Sequence, residues 1–184
     1  MVYDLDKHRR RPMRLRGYDY SQPGVYFVTI CIERRDCLLG RVQEAEILLS
    51  DAGRKVARWW REIHHKFPTI EIDEFIVMPN HFHGIVVLVE PDRVGADLRV
   101  CPGGGRHAGV PLHTVVQWFK TMTTNEYIRE VKQSGWRPFL GKLWQRNYYE
   151  HIIRDEIDWD LVRNYIINNP MDLKNDRDFN EDTR

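Results

Sequence analysis

The stretch TIEIDEFIVM-PN-HFHGIVVLVE, residues 69–90, decides the fold. Its two arms are rich in β-branched and aromatic residues and flank a two-residue Pro79-Asn80 turn, so they read as two strands joined by a tight connection. Two strands joined so closely pair antiparallel, and their apolar content places the pair at the centre of a sheet. The second arm opens His81-Phe82-His83. Side chains alternate along a strand, so both histidines share one face and Phe82 points to the other.

Upstream, LSDAGRKVARWWREIHHKF (49–67) opens on Ser50-Asp51, which suits a helix start. Ala52, Val56, Trp59, Trp60 and Ile63 then recur at helical spacing until Pro68 stops the run. VYFVTICIE (25–33) reads as a strand, and CLLGRV (37–42) is expected to pair with it as a hairpin. Residues 17–24 supply turns, and residues 1–16 form an expected basic arm.

Downstream, residues 91–110 are rich in Gly and charge and read as a loop. Their triple glycine is no phosphate-binding P-loop, since no G-K-[ST] follows. Residues 111–131 read as a helix that buries Val115, Val116, Phe119, Met122 and Tyr127. Residues 143–154 read as a strand, and residues 155–169, acidic at the start and closed by Pro170, as a last helix of about four turns. The order β, short β, α, β, β, α, β, α suits an α+β sandwich with helices on one face of an antiparallel sheet.

The chain has 184 residues, 42% apolar and 11% aromatic, and suits one globular domain. No run is long enough to cross a bilayer and no apolar signal region opens the chain, so a cytoplasmic address with no membrane partner is expected. Cys31, Cys37 and Cys101 form neither a disulfide framework nor a C-x-x-C pair. Net charge is only +1, but residues 7–16 carry six Lys or Arg and no acid. Such an arm suits phosphate contact, or is simply solvated.

His81 and His83, about 7 Å apart along the strand, can converge on one cation. Tyr165 and Asn169 are four residues apart and lie on one face of the last helix. Imidazole nitrogen with amide oxygen suits Mg²⁺ or Mn²⁺ with positions left for phosphate oxygens. By composition alone, core packing is the commoner role for such a tyrosine.

FIVMPNHFHGIVVL (75–88), LWQRNYYEHIIRDE (143–156) and NYIINNP (164–170), in this order and spacing, resemble the REP-associated tyrosine transposases. These are bacterial relatives of the single-tyrosine HUH transposases, named for His, a bulky hydrophobic residue, His. RLRGYDYSQPGVYFVTICIERR (14–35) resembles the start of the same group, so the likeness spans residues 14–170. It implies a ferredoxin-like or RRM-like antiparallel sheet with helices on one face plus a C-terminal catalytic helix. The expected domain is 17–170, between the arm (1–16) and a tail (171–184). By the same resemblance His81, His83 and Asn169 are the ligands of a divalent metal, Mg²⁺ or Mn²⁺, and Tyr165 is the nucleophile.

The implied reaction is transesterification on single-stranded or hairpin DNA of REP-like sequence, through a 5′-phosphotyrosine link. Tyr148 and Tyr149, adjacent and oppositely facing on the expected strand, are rival nucleophiles. Arg9 to Arg11, Arg14, Arg16, Lys120, Arg137, Lys142, Arg146 and Arg154 are candidates for phosphate contact. Tyr18, Tyr20 and Trp144 are candidates for stacking on unpaired bases. His151 has no role that the sequence explains. Monomer and homodimer both remain open. The competing functions are a non-catalytic RRM-like binder of structured single-stranded DNA or RNA, and a relaxase or replication-initiator nuclease of the same chemistry.

Overall fold

A computed structural model describes residues 18–43, 46–90 and 109–169. The basic arm with Arg14 and Arg16, most of the Gly-rich loop and the tail lie outside the described residues. Strands β1 (Gly24–Cys31), β4 (Ile70–Val77), β5 (His81–Leu88) and β6 (Tyr149–Ile153) form one antiparallel sheet in the order β4-β5-β1-β6. β1 and β5 pair over their whole length, from Gly24 opposite Leu88 to Cys31 opposite His81. The histidine strand is therefore central, as expected, whereas β4 is an edge.

Two expectations about strands need correction. Residues 40–43 do not pair with β1. They form β2 (Gly40–Gln43), which pairs with β3 (Glu46–Leu49) in a separate two-stranded sheet. β3 was hidden because its four residues abut the helix start at Ser50. The strand expected over 143–154 is regular only at Tyr149–Ile153, and before it Trp144 makes a single bridge to Ile32.

The helices are α1 (Asp51–Arg61), α2 (Ile63–Lys66), α3 (Leu112–Ser134) and α4 (Glu156–Asn168). Ser50 caps α1 by accepting from the Gly53 N–H at 3.1 Å. The single helix expected to Phe67 is divided at Glu62, where ψ is −9° and the turn tightens. α3 outlasts its expected end by three residues and stops at Gly135, whose φ of 69° closes the helix in the left-handed region. Among the described residues no helix is long and apolar enough to cross a membrane.

The sheet separates two cores of unequal size. On one face Tyr26, Val28, Ile30, Phe82 and Val86 pack with Trp60 of α1 and Phe119 of α3. Trp60 is fully buried, with ring centroids 4.5 Å from Phe82 and 5.1 Å from Phe119. Such aromatic pairs contribute about 0.5–1.5 kcal/mol each beyond area burial. α1 and α3 are also joined by Glu126, only 4% exposed, which receives Lys55 Nζ at 2.8 Å and Arg129 at 2.7 Å. Burial alone would raise the Glu126 pKa, but Lys55, Arg129 and Arg58 outweigh it and hold the carboxyl below its ordinary value.

On the other face Phe27, Ile85 and Ile153 meet Val162 and Ile166 of α4. A β-bulge between Ile72 and Phe75 serves this docking. Ile70 and Ile72 face the larger core, and beyond the bulge Phe75 and Val77 do, so the inward positions change from even to odd. Asp73, inside the bulge, accepts hydrogen bonds from Trp159 Nε1 and from Arg163 Nε at 2.8 Å, both on α4. The Arg163 guanidinium lies 4.7 Å from the Trp159 ring centroid. At the opposite sheet edge, His151 Nε2 of β6 meets both carboxylate oxygens of Asp158 at 2.8 and 3.1 Å. Asp158 is on the first turn of α4, so His151, without a role in the sequence, pins that end of the helix.

Two outcomes follow from this packing. A Cβ at Gly84 would lie 2.6 Å from Trp60 Cζ2 and 2.9 Å from Phe82 Cε1. Gly84→Ala should therefore destabilise the fold by about 1–3 kcal/mol, read as a lower urea midpoint with unchanged slope. Asp73→Ala removes the shared acceptor of Trp159 and Arg163 and should cost about 1–3 kcal/mol. Amide exchange should then speed up in α4 before it does in α3; equal acceleration in both helices would contradict a local clamp.

Candidate active site

The site grows out of the β1–β5 pairing. Thr29 of β1 lies opposite His83 of β5 and points to the α4 face, and its Oγ1 is 2.8 Å from His83 Nδ1. Asn80, from the turn, places Oδ1 2.7 Å from His81 Nδ1. The two rings lean together, so that His81 Nε2 and His83 Nε2 are 2.9 Å apart. Both histidines are buried, at 0% and 1% exposure. Phe27 stacks on His83 with ring centroids 5.4 Å apart, which fixes the tilt of the imidazole.

These contacts direct the proton of His81 and leave two arrangements for His83. Asn80 Oδ1 only accepts, so His81 Nδ1 is the donor and His81 Nε2 presents a lone pair. The Thr29 hydroxyl can either accept or donate. When it accepts from His83 Nδ1, both Nε2 lone pairs converge on one point, as a cation requires. When it donates, His83 Nε2–H can bond His81 Nε2 instead. Outer oxygen partners of this kind orient histidine ligands in metal sites.

α4 brings the remaining two candidates to the same face. Tyr165 Oη is 3.4 Å from His83 Nε2, and its ring meets Phe27 edge-on at 6.0 Å. Asn169 follows one turn later, at the helix end, and is 2% exposed. Its Oδ1 is buried with no hydrogen-bond partner among the described residues. A buried amide oxygen without a donor is costly, and a cation would satisfy it. No cluster of three His, Cys, Asp or Glu occurs among the described residues, so that oxygen is the natural third protein donor. The donor set fits a hard divalent ion such as Mg²⁺ or Mn²⁺.

The rival tyrosines separate as their alternation requires. Tyr149 pairs with Thr29 and belongs to the smaller core, where burial pushes its phenol above the ordinary value. Tyr148 packs with the larger core beneath the Lys120 ammonium. Tyr165 Oη, by contrast, reaches the imidazole pair.

Several DNA-contact candidates stand elsewhere than expected. Trp144 is 4% exposed and donates Nε1–H to Thr123 Oγ1 at 2.8 Å, so it is a core residue and not a base-stacking platform. Tyr18 and Tyr20 are half-buried against Tyr26 and the larger core. Lys120 donates to the carbonyls of Gln145, Arg146 and Asn147 at 3.0, 3.4 and 3.3 Å. Burial lowers its pKa to about 8, and it ties a loop down where a phosphate contact was expected. Arg146 and Arg154 are exposed. Arg14 and Arg16 lie outside the described residues.

Thr29, Asn80 and Asp73 were missed in the sequence. The signal for Asn80 was its place directly before His81, where only a turn was read. Thr29 needed the strand register and Asp73 needed the bulge, neither of which periodicity supplies.

No family model matches the chain. It is 36% identical over 173 residues to an uncharacterized protein of Haemophilus influenzae, covering 92% of each chain. It is 25% identical over 158 residues to a second protein of that organism, named "Putative REP-associated tyrosine transposase", covering 83% of this chain and 73% of that one. A solved structure described as the REP-associated tyrosine transposase bound to a REP hairpin superposes with a TM-score of 0.55 at 21% identity. The match covers 86% of this chain and 73% of the other, and supports the fold. In sequence and in fold the chain is thus similar to REP-associated tyrosine transposases.

Proposed function

We propose that the protein cleaves and rejoins single-stranded DNA beside a hairpin of REP-like sequence, with Tyr165 as the nucleophile. The observation that carries this reading is the meeting of the Tyr165 phenol with the buried His81–His83 pair, 3.4 Å from His83 Nε2. Buried histidines with outer oxygen partners and a phenol beside them suit phosphoryl transfer better than passive binding. That the transposase of the solved structure is bound to a REP hairpin supports the choice of DNA.

His81 Nε2, His83 Nε2 and Asn169 Oδ1 would hold a divalent ion, which when bound polarises a phosphate and offsets the charge that develops on it. Tyr165 Oη attacks phosphorus, an Oη–P bond forms and the bond from phosphorus to the 3′-oxygen breaks. The phenolic proton is lost and the departing oxygen gains one, leaving a 3′-hydroxyl. The product strand is held by its 5′-phosphate on Tyr165, and attack by another 3′-hydroxyl reverses the step and joins a new strand. Phenol is a weak nucleophile near neutral pH, with a reference pKa of about 10. Fixed position therefore matters, and α4 supplies it through its ties to Asp73 at one sheet edge and His151 at the other.

The test mixes full-length protein with labelled hairpin oligonucleotides carrying single-stranded flanks, with Mg²⁺ or Mn²⁺, and looks for a denaturation-resistant adduct. Wild type should form it, and Tyr165→Phe should form none. His81→Ala and Asn169→Ala should slow it by about 10²–10³-fold, the usual cost of removing one charge-stabilising group. An adduct retained by Tyr165→Phe would move the nucleophile elsewhere, with Tyr149 next to be tried.

A further inference from the structure

Four side chains form one unbroken series of contacts. Asn80 Oδ1 is 2.7 Å from His81 Nδ1, the two Nε2 atoms are 2.9 Å apart, and His83 Nδ1 is 2.8 Å from Thr29 Oγ1. All four residues are buried, and Thr29 is the most open at 4% exposure.

The middle contact decides the direction of the series. Two nitrogen lone pairs facing each other at 2.9 Å repel, so a proton or a cation lies between them. Without a cation it is a proton. A neutral His81 already donates from Nδ1 to Asn80 and has none left for Nε2. The shared proton therefore belongs to His83 Nε2, which leaves His83 Nδ1 as a lone pair to which Thr29 donates. Every link then has one donor and one acceptor. Tyr165 Oη stands farther from that proton, at 3.4 Å from His83 Nε2.

A cation on both Nε2 atoms requires the opposite arrangement at His83. Its proton must stand on Nδ1, and Thr29 must accept it. The proton on Nε2 passes to water and another is taken from water at Nδ1, so the charge of the ring is unchanged. A hydroxyl permits this reversal because it turns about a single bond while the strand stays still. A carboxylate or carbonyl in its place could only accept, and would hold His83 in one form. Asn80 is the fixed end, since reversing it means turning the whole amide. Phe27 stacks on His83 with centroids 5.4 Å apart, so the ring is held facing Thr29, its partner in the strand register.

We infer that Thr29 is a positioning residue that lets His83 change tautomer, from Nε2–H when bonded to His81 to Nδ1–H when both rings hold a cation. The inference rests on the proposed reading of His81 and His83 as metal ligands, and adds how the pair passes from its metal-free to its loaded form.

The test is long-range ¹H–¹⁵N NMR of full-length protein labelled on histidine, at about pH 8 where free imidazole is neutral. In EDTA, His81 should be Nδ1–H and His83 Nε2–H. Saturating Mg²⁺ should move the His83 proton to Nδ1 and leave His81 unchanged. Mn²⁺ affinity, read from water-proton relaxation, should fall about 10–100-fold in Thr29→Val, the usual cost of losing an outer partner of a ligand. Thr29→Ser, which keeps the hydroxyl, should bind Mn²⁺ as the wild type does. Valine is β-branched and suits a strand, and should that variant not fold, the wild-type spectra with and without Mg²⁺ still decide.

His83 already Nδ1–H in EDTA, or the shared proton on His81 Nε2, would overturn the inference. So would a Thr29→Val protein that binds Mn²⁺ like the wild type. The two readings fail separately. Metal-free tautomers as expected but no Mn²⁺ binding by the wild type sinks the metal site and leaves the hydrogen-bonded series. Mn²⁺ binding with His83 already Nδ1–H in EDTA sinks the role of Thr29 and leaves the metal site standing.

Discussion

Two imidazoles buried in the middle of a sheet must be satisfied from the strands and turns beside them, and that requirement organises the molecule. Water cannot reach His81 or His83, so each Nδ1 needs an oxygen built into the fold. Asn80 supplies one from the turn and Thr29 the other from the neighbouring strand. Thr29 meets His83 only if β1 and β5 keep their register, and the larger core of Trp60, Phe82 and Phe119 maintains that register. A slip of one residue would turn both histidines into that core and the aromatic residues out of it.

α4 answers the same requirement from above. Val162 and Ile166 pack with Phe27 and Ile85, and the phenol of Tyr165 comes to rest 3.4 Å from His83 Nε2. Apolar contact alone would let a helix roll or slide, since the hydrophobic effect has no direction. The polar ties to Asp73 and His151 have direction, and these two residues lie on β4 and β6, the two edge strands. The helix is thus gripped at both margins of the sheet, with the chemistry between them.

What was legible in the sequence was whatever depends on local pattern. The strands around the HFH run, the Ser50 cap and the Asp155 start of α4 follow from alternation, capping and periodicity. His81 and His83 share a face because strands have a period of two, and Tyr165 and Asn169 do because helices turn every 3.6 residues. That Tyr165 meets His83 was not legible from spacing, and was expected only through the family resemblance. The aromatic candidates show a second limit. Trp144 looked available for stacking because its surroundings are rich in Arg and Asn, but Thr123 and Phe119, more than twenty residues away, bury it. Lys120 looked like a phosphate contact because helices usually solvate their lysines, yet three carbonyls from a loop claim it. Long-range partners of this kind leave no periodic trace.

The unequal division of the core has a further consequence. Among the described residues most of the buried apolar side chains lie on the α1 and α3 side, while the cluster on the α4 side has five: Phe27, Ile85, Ile153, Val162 and Ile166. Most of the apolar cohesion and the candidate site thereby lie on opposite faces of one sheet. With only that small cluster beneath it, α4 depends on its polar ties to Asp73 and His151 to keep its place on the sheet.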